Sequence, residues 1–150
     1  MDNYEKIIKK LTSLEREIER LKVLEAGWSY IPLTTPLTST DFDGDAFSTT
    51  AKTKIDLSDK FGVPAGVKAV DVWINIRDSG SVNTYCYLYL SPNDIGANGK
   101  AFKADRAVND QWSPGSAIIP CDANGDIYYQ INASGADTFD MRIQIWGYWI

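Results

Sequence analysis

Two short segments carry oxygen-bearing side chains at alternate positions around a glycine: Asp41, Asp43 and Asp45 around Gly44, and Asp122, Asn124 and Asp126 around Gly125. Hard cations such as Ca²⁺ take such ligands, because carboxylate and amide oxygens replace their hydration shell and glycine permits a sharp turn. An EF-hand type of loop also needs a bidentate glutamate further on, whereas position 52 is a lysine. The competing reading is a pair of Asp/Asn/Gly turns, and Asn124 followed by Gly125 is what a tight hairpin turn asks for. Turns are therefore expected at both places, and no metal ligand is assigned.

A second group is aromatic and planar-polar. Trp73, Arg77, Tyr85, Tyr87, Tyr89, Arg142, Gln144 and Trp146 alternate with aliphatic residues, as do Asp71, Asn75, Tyr128, Gln130 and Tyr148. In extended chain, alternation sends them to the face opposite the aliphatic one. Rings with hydrogen-bonding tips beside Arg and Gln are the material of protein interfaces, and of sugar-binding platforms. A subunit interface is expected first, with a glycan platform or the second face of a core as alternatives.

The third group is Asn109, Asp110, Gln111 and Trp112, an aromatic beside three polar groups. If eight antiparallel strands follow an N-terminal helix, alternate loops gather at the end far from it, around residues 78–81, 108–114 and 134–137. One strand more or fewer inverts that assignment. Loops on a rigid scaffold carry recognition, which makes these four residues receptor-binding candidates.

Catalysis has little to work with. The chain has no histidine, which removes Ser-His-Asp and Cys-His pairs and the usual near-neutral acid and base. Gly-rich phosphate loops, HExxH and GxSxG are missing from the sequence too. Two aspartates meeting only in three dimensions would be the remaining route to glycoside hydrolysis. We read the chain as non-enzymatic and without cofactor. A formal net charge of -5 gives no footprint for nucleic acid or anionic membrane. No apolar run approaches the length needed to insert into a bilayer, and the first ten residues lack a signal-peptide core. Cys86 and Cys121 stand in strand-like contexts without metal-ligand spacing, so free thiols in a reducing cytosol are expected; a disulfide would need their strands to face each other.

Two segments position these groups. All five glutamates fall within the first 25 residues, and aspartate is the only acidic residue thereafter. In the first segment, residues 3–25, apolar residues step by three and four: Tyr4, Leu11 and Ile18 take heptad position a, and Ile7, Leu14 and Leu21 take d. Lys10 then faces Glu15, and Glu17 faces Lys22, of a neighbouring parallel helix. The stretch from Lys10 to Glu15 resembles a trimer-favouring pattern, and Ala26-Gly27 supplies the stop. The expectation is a homotrimeric coiled-coil stalk; packing of the stripe on the chain's own domain is the alternative.

From Gly27 the period changes to two. Strands are predicted near 28–33, 46–57, 70–77, 82–90, 101–107, 116–120, 127–131 and 139–145, with no helical spacing among them. The fold class is mainly β, a coiled-coil helix followed by an antiparallel β-sandwich of jelly-roll type over residues 27–150, with an up-and-down barrel as runner-up. Residues 32–53, rich in Thr, Ser and Pro, predict an extended arm or edge strand that wraps a neighbour.

An early coiled coil, a Thr/Ser/Pro arm, an all-β domain with Ile55-Asp-Leu57 and Val63-Pro-Ala-Gly66, and a last strand ending Ile145-Trp-Gly-Tyr-Trp-Ile150 resemble small structural proteins of tailed bacteriophages, namely trimeric tail-fibre, head-fibre or receptor-binding tip domains. The resemblance implies a virion protein assembled in the host cytoplasm. Its stalk would dock to other virion proteins through the N-terminus, and its β-domain would bind a host-surface glycan or protein. The short stalk without an anchoring domain departs from long fibres and keeps two alternatives open. One is a capsid or tail decoration protein; the other is a carbohydrate-binding module or polysaccharide depolymerase.

Overall fold

The computed structural model describes residues 3–25, 27–96 and 98–150; the side chains of residues 3, 19–21, 23–25 and 45 lie outside that description. Three expectations fall outside with them: Leu21 in the seam, Asp45 in the first acidic segment and Ala26 at the helix stop.

The heptad stretch is helical, α1 over Asn3–Glu25. Its apolar stripe does not pack on the chain's own domain: Tyr4, Ile7, Leu11, Leu14 and Ile18 are each at least half exposed, from 50% at Leu11 to 69% at Tyr4. Among the described residues no helix is long and apolar enough to cross a membrane.

Eight strands follow: β1 Tyr30–Phe47, β2 Thr53–Ile55, β3 Ala69–Asp78, β4 Tyr87–Ser91, β5 Lys100–Lys103, β6 Ser113–Pro120, β7 Ile127–Asn132 and β8 Phe139–Trp149. They form two four-stranded sheets, ordered β1-β8-β3-β6 and β2-β7-β4-β5. The pairing is nested, β1 with β8, β2 with β7, β3 with β6 and β4 with β5, every pair antiparallel. A long folded ribbon rolled up in this way is the jelly-roll wrapping of a sandwich.

Alternation explains why these segments take these places. In β3, Val70, Val72, Ile74 and Ile76 are fully buried, while the intervening residues are only partly so. Met141, Ile143 and Ile145 of β8 meet them from the same sheet, and Leu88, Leu90, Ile127 and Ile131 close the core from the other. Full burial of each such side chain contributes roughly 1.5–3 kcal/mol. At one margin the sheets touch through Phe102 of β5, whose ring lies where a side chain at Gly115 of β6 would stand, 2.8 Å from a Cβ placed there.

Three expectations need correction. Residues 46–57 are not a strand: β1 runs through the Thr/Ser/Pro arm as far as Phe47, and only the three residues of β2 pair beyond it. β1 is an edge strand with three breaks of register against β8, and such irregularity blunts an edge against unwanted pairing. The region also contains a helix, α2, over Leu57–Phe61. Asp56 caps its N-terminus through the Asp59 amide, Gly62 closes it at φ 72°, and Leu57 and Phe61, one turn apart, are both buried. β4 begins at Tyr87, because residues 79–86 form a loop in which Asn83 has φ 61°.

Candidate recognition surface

The loops joining β3 to β4, β5 to β6 and β7 to β8 share the end of the sandwich opposite Tyr30, where α1 joins it. Their organiser is Asp78, which ends the inward row of β3 and is completely buried. Its carboxylate accepts from the Ser134 amide at 3.0 Å, the Ser134 hydroxyl at 2.5 Å, the Thr138 hydroxyl at 3.0 Å and the Gly80 amide at 2.8 Å. Burial alone would raise its pKa, but these donors favour the charged form and hold it below the ordinary aspartate value. The Asp78 carbonyl accepts from the Asp110 amide, and the Asn109 side chain donates to the Ser79 carbonyl. Residues 79–81, 109–110 and 134–138 are thus tied together by hydrogen bonds.

Trp112 lies just before β6, half-buried, with the guanidinium of Arg77 4.7 Å from its ring centre and that of Arg142 5.0 Å away. Acids hold both arginines: Arg77 pairs with Asp140 at 2.6 Å and with Asp110 at 3.4 Å, and Arg142 with Asp43 at 3.1 Å. Two separately identified groups therefore meet in one place, because the outer face of β3 and β8 carries Arg77 and Arg142 up to the loop that carries Asp110 and Trp112. Gln111 is exposed beside them.

The aromatic platform is not one surface. Trp73, Arg77, Arg142, Gln144 and Trp146 face outward from the sheet of β3 and β8, whereas Tyr87 and Tyr89 belong to the other sheet, on the opposite side of the sandwich. Tyr87 and Tyr89 pack edge to face at 4.5 Å. Tyr85 stands in the loop before β4, 61% exposed, under the Arg106 guanidinium. The reason is long-range: alternation tells which side of a strand a residue takes, not which sheet the strand joins. Tyr148 is corrected as well. Asp71 pairs with Gly147 and Val72 with Ile145, so Trp146 is an extra residue; this bulge reverses parity and turns Tyr148 against the core.

The outer face of the first sheet runs in cross-strand rows. At the Tyr30 end stand Tyr30, Trp149, Ala69 and Pro120, and next Pro32, Gly147, Asp71 and Ile118. Then come Thr38, Gln144, Trp73 and Ser116, followed by Asp43, Arg142, Asn75 and Pro114. Tyr30 lies across Gly147, where a Cβ would come within 2.5 Å of its ring, and its hydroxyl donates to Asp71 at 3.1 Å. Burial and the neighbouring carboxylate raise the Tyr30 pKa.

The acidic segments divide. Asp122 takes the amides of Asn124 and Asp126, and Gly125 has φ 91°, so the second is a turn as expected, but not a hairpin turn: it joins β6 and β7, which belong to different sheets. Asp126, nearly buried, pairs with Lys54 at 3.0 Å and accepts from the Leu57 amide. The first is not a turn: Asp41, Asp43 and Gly44 lie within β1 around buried Phe42, and Asp41 pairs with Lys60 at 2.8 Å. Cys86 and Cys121 are free thiols at opposite ends of the sandwich. Burial, with nearby aspartates, pushes Cys86 up to about 11 and Cys121 up to about 12.

The residues that sequence reasoning missed are Asp78, Asp140 and Tyr30. Asp78 carried a signal, since it occupies the next inward position after four aliphatic residues of β3. Compared with protein-family models and with curated proteins, the chain matches none of them.

Proposed function

We propose that the chain is the stalk-and-head subunit of a non-enzymatic, parallel homotrimeric virion appendage, in which α1 forms a coiled coil and the sandwich is displayed for contact with a host-surface glycan or protein. The observation that carries this reading is the exposed heptad stripe of α1, followed in the chain by a sandwich whose opposite end is a hydrogen-bonded loop cluster. A row of half-exposed Leu, Ile and Tyr is stable in water only when covered, and heptad spacing matches cover by like helices. In that arrangement Lys10 pairs with Glu15, and Glu17 with Lys22, of neighbouring chains. Multivalent display then turns a weak contact at each head into avidity.

The magnitudes limit what the stalk does alone. Burying a half-exposed aliphatic chain is worth about 1 kcal/mol, so the five described seam residues supply about 5 kcal/mol per chain. Association costs roughly 4–15 kcal/mol. Three such seams, about 15 kcal/mol, stand against two association steps, so the stalk is marginal on its own and any area added by the head stabilises the trimer.

A second reading, a decoration protein whose loop end contacts other virion subunits, is favoured by the Arg-Asp-Trp cluster: Trp and Arg are enriched in protein interfaces, and its arginines are already held in place by acids. Light-scattering mass over a concentration series tests the common core of both readings. A mass three times that of the chain, lost in the double variant Leu14→Asp/Ile18→Asp, supports it, and a monomer at all concentrations rejects it. A glycan array then tests the glycan form of recognition: selective signal from the trimer favours recognition over decoration, whereas silence is shared by decoration and a protein receptor, which binding to host-surface protein separates.

A further inference from the structure

The outer face of the sheet built from β1, β8, β3 and β6 changes character along its length. Towards the loop end it is charged, with Arg77, Arg142, Asp43, Asp110 and Asp140 around Trp112. Towards the end where α1 arrives, its two rows hold one charged side chain, Asp71, and that carboxylate accepts the Tyr30 hydroxyl. The apolar residues there stay open to solvent: Tyr30 and Trp146 are 40% exposed, Ile118 59%, and Trp28, two residues before Tyr30, 61%. Ile150 is 55% exposed and tied to the chain leaving α1 by paired backbone hydrogen bonds with Ser29, both 3.1 Å. The exposed apolar surface of this half of the sheet therefore reaches Trp28, on the chain that leaves α1, whose described seam residues are exposed as well.

We propose that a second copy of the chain covers this collar, so that the oligomer interface runs from α1 onto Trp28, Tyr30, Ile118, Trp146 and Ile150. The proposal rests on the self-association read from α1, and it adds area to a seam that is marginal on its own. The polarity gradient specifies the extent: apolar side chains tolerate burial against a like surface, while the charged half remains in water, where its desolvation costs nothing. The other sheet, with Tyr87 and Tyr89, takes no part in the interface.

The test uses the full chain. Dissociation is followed by light-scattering mass on dilution for the wild type, Ile118→Asp, Trp146→Gln and a control, Val82→Asp, in the loop at the far end. Both collar variants should raise the concentration at which the oligomer dissociates by about tenfold or more, with the control unchanged. Wild-type behaviour of folded Ile118→Asp and Trp146→Gln overturns the collar but leaves the stalk reading intact, provided that Leu14→Asp/Ile18→Asp still dissociates. A monomeric wild type overturns both. If a collar variant misfolds, hydrogen exchange of the wild type above and below its dissociation concentration decides. Protection gained on association at residues 28–30 and 116–118 supports the collar, and protection gained in α1 alone overturns it.

Discussion

Asp78 and Ser134 lie 56 residues apart in sequence, yet both the amide and the hydroxyl of Ser134 donate to the Asp78 carboxylate. This contact joins the loop after β3 to the loop before β8, and Thr138 and Gly80 complete the shell. A carboxylate with four donors and no exposed surface ties the loops of this end together.

That relationship fixes a pH dependence. The folded-state pKa of Asp78 lies below the roughly 3.9 of an unfolded aspartate. Its contribution is therefore fully present above about pH 4 and is lost as pH falls through the folded value. Asp78→Asn should lower stability at pH 7 by about 1–3 kcal/mol, because one carboxylate oxygen becomes an NH2 and two of the four buried donors lose their acceptor. It should also flatten the fall in melting temperature between about pH 4 and pH 2. Thermal melts of both proteins across that range check it; parallel curves would mean that other carboxylates dominate.

How much of this could be read from sequence depends on the range of the interaction. The inward rows of β3 and β8 were legible because each alternate residue is aliphatic and the partner strand does not matter. β1 was not legible as one strand: its register breaks interrupt the period, and its edge position leaves its threonines in water. α2 is too short for a periodic pattern, though Asp56, the Leu57 and Phe61 pair and Gly62 are its signature in retrospect. The division of the aromatic residues between two sheets was invisible, because it follows from β1 pairing with β8 and β3 with β6 across most of the chain. The candidate loop residues were legible by counting strands, whereas their engagement with Arg77 and Arg142 required the sheet itself.

Trp112 should act as a clasp between loop and sheet. In Trp112→Ala the two guanidinium contacts vanish, each worth about 0.5–1 kcal/mol at such partly exposed sites. The fold and the oligomer should survive, since the core lies on the other side of the sheet, while hydrogen exchange at residues 108–112 accelerates. A collapse of the whole fold would make Trp112 part of the stability core.

Both thiols should resist modification in the folded chain. Thiolate is the reactive form, and burial pushes Cys86 up to about 11 and Cys121 up to about 12. Alkylation at pH 8 should be slow for both and become fast only in denaturant. A reductant should leave the melting temperature unchanged, because residues at opposite ends of the sandwich cannot form a bridge within one chain. Rapid labelling of Cys121, the less deeply enclosed of the two by surface exposure, would place the opening at the β6–β7 loop.

Glycine substitutions separate close packing from backbone preference. A methyl at Gly115 would stand 2.8 Å from the Phe102 ring, which fills the gap between β5 and β6. Gly115→Ala must displace that ring or part the two sheets, and overpacking of this kind costs about 1–3 kcal/mol. At Gly44 nothing lies within 4 Å of the added carbon, so Gly44→Ala should stay within about 0.5 kcal/mol of the wild type. Denaturant midpoints measure both. Pairing Gly115→Ala with Phe102→Leu provides the decisive comparison: if the ring is the obstacle, the smaller side chain recovers part of the loss, so the double variant is less destabilised than the sum of the single ones. Strict additivity would mean that Gly115 is required by its backbone, and that the margin of the sandwich is closed by something other than this ring.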